Sequence, residues 1–127
     1  NGDEGPEEEE FDDAGDSGIY LRGNDKSQVN IWCRPIGSGE VRGYRVDQKL
    51  AADVREAVTP KIRADKPIGQ WNRFHITMKG DRLTVVLNDE PVVNQAQLPG
   101  VPARGRIALQ HHGDPIQFAS ILIRELK

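Results

Sequence analysis

The chain has 127 residues, enough to bury one core and too few for two. Its formal charge of −3 averages two unlike parts: the first thirteen residues hold eight acids and no base, which leaves 12 acids against 17 Lys and Arg in the rest. The lone cysteine, Cys33, excludes an intramolecular disulfide, no apolar run reaches membrane-spanning length, and the basic residues are scattered rather than interleaved with aromatics, which argues against nucleic acid.

Residues 1–14 form an acidic stretch with one large apolar side chain, Phe11. It buries too little surface to offset its ordering entropy and is expected to be a disordered tail. Residues 15–127 are expected to form one domain. Ile19 and Leu21 share one face of an alternating run, with Tyr20 and Arg22 on the other. Gln28–Trp32 repeats the pattern: Val29 and Ile31 face inward, and Gln28, Asn30 and Trp32 face away. Such period-two runs bounded by turn residues read as half-buried strands. Gly37-Ser38-Gly39 reads as a loop and Gly43–Val46 as a short strand. Leu50, Ala51, Val54, Ala57 and Val58 form a helical stripe that Pro60 stops, which predicts a helix over 50–58. Strands follow around Phe74–Met78 and from Thr84 to Leu87, with turns at Lys79–Arg82 and Asn88–Pro91 and a return arm at Val92-Val93. Arg106–Gln110 and Phe118–Ile123 complete the set. The class is therefore all-β, a two-sheet antiparallel β-sandwich with one short helix. Its core is expected to hold Ile19, Leu21, Val29, Ile31, Phe74, Ile76, Leu83, Val85, Ile107 and Leu109.

Three segments occur in a telling order: Asp16–Gly23 (DSGIYLRG), Gly69–Asn72 (GQWN) and Gly105–Pro115 (GRIALQHHGDP), with the hairpin sequence Gly80–Asn88 between the last two. Together they resemble the 3-keto-disaccharide hydrolase family from about residue 16 to the end of the chain. The resemblance implies a concanavalin-like jelly roll, hydrolysis or elimination of 3-keto-glycosides, and a periplasmic or secreted setting. The residues themselves show no phosphate-binding glycine loop and no zinc-type Cys/His spacing, and His112 with Asp114 do not make a metal site, so no cofactor and no metal are expected. Three departures stand against the family pattern. The family has further strands before the Asp16-Ser17-Gly18 motif, so the chain is expected to lack part of the fold at its N-terminal side. Sheet edges left open in that way would favour self-association. Gln28 and Asn30 replace a common Glu-x-Gln pair, and Ala119-Ser120 replaces an Arg-Asn pair.

A ketone at C3 acidifies the C2 proton, so a base, a donor to the enolate oxygen and an acid for the leaving group suffice for elimination at C1. His112 is the candidate base, because histidine titrates in the useful range. Arg22 is the candidate for neutralising the enolate. Gln28, Asn30 and Gln110 offer amide donors and acceptors to sugar hydroxyls, and Trp32 or Tyr44 offers a stacking surface. His112, Gln110 and Arg106 share a face if the alternation continues. Other conspicuous residues have plainer readings: Trp71 as core, His75 as an exposed strand residue, Asp114 as a turn residue before Pro115, His111 without a role, and Cys33 as an inert thiol. Two further functions stay open at this point, a non-catalytic carbohydrate-binding module and an envelope adhesion domain.

Overall fold

A computed structural model describes residues 17–32, 36–67, 69–110 and 116–126. The acidic tail, Cys33, His111, His112 and Asp114 lie outside them. Among the described residues, six strands form two antiparallel three-stranded sheets: β1 (Ser17–Leu21), β2 (Asn24–Ile31), β3 (Phe74–Lys79), β4 (Arg82–Leu87), β5 (Glu90–Gln97) and β6 (Ala108–Leu109). One sheet has the order β2-β1-β6, and the other is the meander β3-β4-β5. Leu21 and Val29 of the first sheet join Leu83, Val85, Leu87, Val92, Val93 and Ala96 of the second in one buried cluster, which makes the domain the expected all-β sandwich. Fully burying such a side chain is worth about 1.5–3 kcal/mol.

Turn chemistry fixes the registers. Asn88 and Asp89 both have positive φ, 53° and 70°, between β4 and β5. Arg22 and Gly23, at 58° and 65°, do the same between β1 and β2. Two positive φ values at the centre of a two-residue loop match the right-handed twist of the strands they join. Arg22 is thus a turn residue, and the alternation that pairs it with Tyr20 stops at Leu21.

Two short helices accompany the sheets among the described residues. The expected helix is present as α2 (Ala52–Ala57), with Val58 at its C-cap fully buried and Leu50 and Ala57 packed on the core. The other, α1 (Arg42–Arg45), stands where a strand was expected. Its cause is close packing on β2: a Cβ on Gly43 would come within 2.6 Å of the Lys26 carbonyl oxygen. Tyr44 then turns into the core, where its hydroxyl donates to the Pro99 carbonyl at 3.0 Å.

The C-terminal part departs furthest from the sequence pattern. Residues 116–126 form no strand, and Ile121, Leu122 and Ile123 are exposed, as are Leu109 in the two-residue β6 and Ile107 just before it. Alternation supplies an apolar face but not a partner edge, and no edge among the described residues pairs with this segment. Ile31 is half-buried, and Trp71, read as core, is 61% exposed because it lies in the irregular run before β3.

Candidate functional site

The outer face of the first sheet carries the polar residues. β1 is its central strand, and β2 pairs with it so that Gly18 lies opposite Asn30 and Tyr20 opposite Gln28. On the other side the chain continues past β6 far enough for the Gln110 amide to donate to the Gly18 carbonyl at 2.9 Å. Ser17 Oγ donates to the Gln110 carbonyl at 2.7 Å and pins the same residue from its other end. Gln28 and Gln110 are therefore separated by one strand, and they meet above it: Gln28 Nε2 donates to Gln110 Oε1 at 2.6 Å. The contact exists because residue 18 has no side chain. A Cβ there would stand 1.9 Å from Gln28 Nε2.

A cleft of about 280 Å³ opens over this face, lined by Gln28, Asn30, Trp32, Arg42, Gly43, Val46 and Gln110. The packing of α1 on β2 brings Arg42, Gly43 and the following Val46 to one wall. Trp32, half-buried, supplies the aromatic surface; its indole Nε1 donates to the Gly37 carbonyl at 3.2 Å, which fixes the ring against the loop.

Beneath the wall lies a carboxylate. The loop 37–40 folds back along β2, with the Asn30 amide donating to the Glu40 carbonyl and the Gly39 amide to the Asn30 carbonyl, each at 2.9 Å. Gly37 and Gly39 supply the required φ of 88° and 113°. Asp65 anchors the loop by accepting from the Ser38 amide at 2.7 Å and from the Ser38 hydroxyl. Glu40 is fully buried as a result. Its Oε2 accepts from Arg45 Nε, and its Oε1 accepts from Asn30 Nδ2 at 3.4 Å. Burial pushes the Glu40 carboxyl above its ordinary value, while the Arg45 hydrogen bond and charge, the Asn30 amide and the charge of Arg42 pull it back.

Of the residues singled out in the sequence, Gln28, Asn30, Trp32 and Gln110 come together in the cleft. Arg22 does not: its guanidinium donates to the Pro102 carbonyl at 2.7 Å and to the Met78 carbonyl at 3.5 Å. Tyr44 is 1% exposed, so its ring stacks on the core and on the Lys26 ammonium 4.7 Å from its centroid, with no face left for a sugar. His112 lies outside the described residues. Sequence reasoning passed over Arg42 and Glu40. Both sit in a loop and short helix, where strand parity says nothing; the signal available was an acid directly following a Gly-Ser-Gly run. Among the described residues no group of three or more His, Cys, Asp or Glu is placed to hold a metal, and no helix is long and apolar enough to cross a membrane.

Residues 8–124 match the family model described as a 3-keto-alpha-glucoside-1,2-lyase-like domain. Among solved structures, a protein of Parabacteroides distasonis designated a glycosyl hydrolase superposes with a TM-score of 0.54 at 19% identity, over 82% of this chain and 67% of that one. At that identity the likeness is one of fold. No curated protein matches the chain.

Proposed function

The chain belongs to the 3-keto-alpha-glucoside-1,2-lyase-like domain family, and we propose that its cleft binds a glycoside oxidised at C3 and promotes elimination across C1 and C2. The observation that carries this reading is the convergence of three amides, one indole and one guanidinium on a single cleft. Its volume of about 280 Å³ is suited to one sugar ring; pockets for drug-sized ligands span roughly 300–1,000 Å³. A long groove lined by several aromatics would instead suit a polysaccharide-binding module, and here Trp32 is the one aromatic lining residue among the described residues.

In the proposed reaction a base removes the C2 proton, and the electron pair forms the C2–C3 double bond of an enolate. Collapse of the enolate expels the C1 oxygen, which takes a proton as it leaves, and re-forms the C3 carbonyl beside a C1–C2 double bond. Water then adds its hydroxyl to C1 and a proton returns to C2, so the net change is hydrolysis. To Arg42, the charged residue lining the cleft, we assign stabilisation of the enolate oxygen, the role first considered for Arg22. Gln28, Asn30 and Gln110 orient the ring through its hydroxyls, and His112 remains the proposed base. A periplasmic or extracellular setting is proposed with it, on the family likeness alone.

The test is turnover of a 3-keto-glucoside by His112→Ala. The expected loss is ~10²–10⁴-fold, the contribution of a positioned base, with binding of the parent glucoside little changed because the base acts mainly in the transition state. Turnover within about threefold of wild type removes His112 from the mechanism. Wild-type protein that binds sugars and turns over no 3-keto-glycoside establishes the second reading, a binding module, which the neutral amides Gln28 and Asn30 at the Glu-x-Gln positions favour.

A further inference from the structure

We infer that Glu40 is a positioning residue of the cleft, holding the Asn30 side chain with its nitrogen inward so that Asn30 offers its amide oxygen to a donating hydroxyl of the bound sugar. The inference rests on the carbohydrate reading above and adds the polarity of one subsite to it.

Three observations support it. Two backbone hydrogen bonds hold the loop to Asn30, from the Asn30 amide to the Glu40 carbonyl and from the Gly39 amide to the Asn30 carbonyl, so the Asn30 and Glu40 side chains have little freedom to part. Asn30 is 92% buried by its neighbours and still lines the cleft, so one end of its amide faces protein and the other faces the ligand space. The group on the protein side is the Glu40 carboxylate, 3.4 Å from Asn30 Nδ2. An ionised carboxylate only accepts hydrogen bonds, so the amide nitrogen must turn toward it. An isolated asparagine could present either end. This one is left with its oxygen for the cleft, and an oxygen acceptor selects a hydroxyl rather than a ketone or ether.

Arg45 and Arg42 favour the ionised form of Glu40 against its burial. Arg45 Nε donates to the second oxygen of Glu40, and Arg42 stands on the cleft wall three residues earlier in α1. Arg42 and Asn30 thus form a matched pair of opposite preference: the guanidinium takes an oxygen that carries negative charge, and the amide oxygen takes a neighbouring hydroxyl. An α-hydroxyketone on a sugar ring satisfies both at once.

The test is a double-mutant cycle on binding of methyl α-D-glucopyranoside, using Glu40→Gln, Asn30→Ala and the two combined. Glutamine keeps the size of Glu40 but donates as well as accepts, so it releases the orientation. Glu40→Gln is expected to weaken binding about tenfold when Asn30 is present and less than about twofold when it is not. Equal losses in both backgrounds overturn the inference, because a merely structural role does not depend on Asn30. A second readout needs no sugar. The Asn30 side-chain NH₂ resonance, assigned by its loss in Asn30→Ala, is expected to exchange slowly with solvent in the wild type and to shift in Glu40→Gln. A fast-exchanging, solvent-like amide in the wild type overturns the inference even if Glu40→Gln fails to fold. A wild type that shows the protected amide but binds no glycoside overturns the sugar contact together with the carbohydrate reading, and leaves the hold of Glu40 on Asn30 established.

Discussion

Gln28 and Gln110, 82 positions apart, share a 2.6 Å hydrogen bond that passes over the α-carbon of Gly18. The bond requires a gap in the middle strand, and the gap is one missing methyl group. In Gly18→Ala the new Cβ meets the far end of a flexible side chain, which can swing aside, so the fold should survive with a loss of ~0.5–1.5 kcal/mol, the net value of one hydrogen bond. Sugar binding should fall more steeply, because the displaced amide enters the cleft. Gly105→Ala is the contrast. Its Cβ would stand 2.1 Å from the backbone carbon and oxygen of Arg22, which cannot swing aside. That variant should lose ~1–3 kcal/mol or more through overpacking. Chemical denaturation of the two, beside a glucoside titration, checks the ordering.

Arg42 and Arg22 should separate cleanly. Removing Arg42, an exposed residue on the cleft wall, is expected to lower kcat/KM for a 3-keto-glucoside by ~10–100-fold, the value of a hydrogen bond to a charged group, and to leave Tm unchanged. Arg22→Ala gives up two bonds to backbone carbonyls and should lower stability by about 1 kcal/mol with a small effect on turnover. A large kinetic defect in Arg22→Ala at unchanged Tm would restore Arg22 to the site.

What the sequence could tell was decided by periodicity. Leu21, Val29, Leu83 and Val85 are buried as their alternation demands, and the same alternation put Gln28, Asn30 and Gln110 on one outer face. Period two says which way a side chain points if a strand forms; it does not supply the neighbouring edge. Phe118–Ile123 has the pattern without the edge and is not a strand. Gly43–Val46 has it too, but the approach of Gly43 to the Lys26 backbone makes a helical turn instead and sends Tyr44 into the core. Glu40 became visible only once the loop was seen to fold back on β2, a non-local pairing that no local spacing encodes.

The place of Tyr44 can be checked directly. Tyr44→Phe removes the bond to the Pro99 carbonyl and keeps the ring over Lys26. It should cost ~0.5–1.5 kcal/mol of stability and leave glucoside affinity as it was. Weaker binding at unchanged stability would mean that the ring meets the ligand after all.

Stability should respond to pH through two carboxyls of opposite sign. Burial raises the Glu40 value in the folded state above 4.5, so the folded protein holds that proton longer than the unfolded chain. The unfolding free energy should therefore fall as pH rises from about 4.5 through the folded value, then level off, and Glu40→Gln should abolish that slope. Asp47 works the other way. The hydrogen bond from Lys26 lowers its value from 3.8, so its contribution is present above that pH and is lost as acid takes the protein down through the folded value. Urea midpoints across the acid range, for wild type and Glu40→Gln, resolve the two slopes.

The order of strands in the first sheet has a consequence for how the protein is made. The meander β3-β4-β5 joins segments adjacent in the chain, so its contacts are available as soon as residue 97 has left the ribosome. The sheet that bears the cleft is different. Its central strand precedes the other described strands in the chain and gains its second neighbour only with Ala108 and Leu109, and the Gln110 partner of Gln28 follows them. A nascent chain released or cleaved before that point would carry the β-meander and lack Gln110, one of the seven residues that line the cleft. Ligand capture would then report the arrival of Gln110, and stalled chains displayed at increasing lengths should gain glucoside binding in one step, after Gln110 emerges.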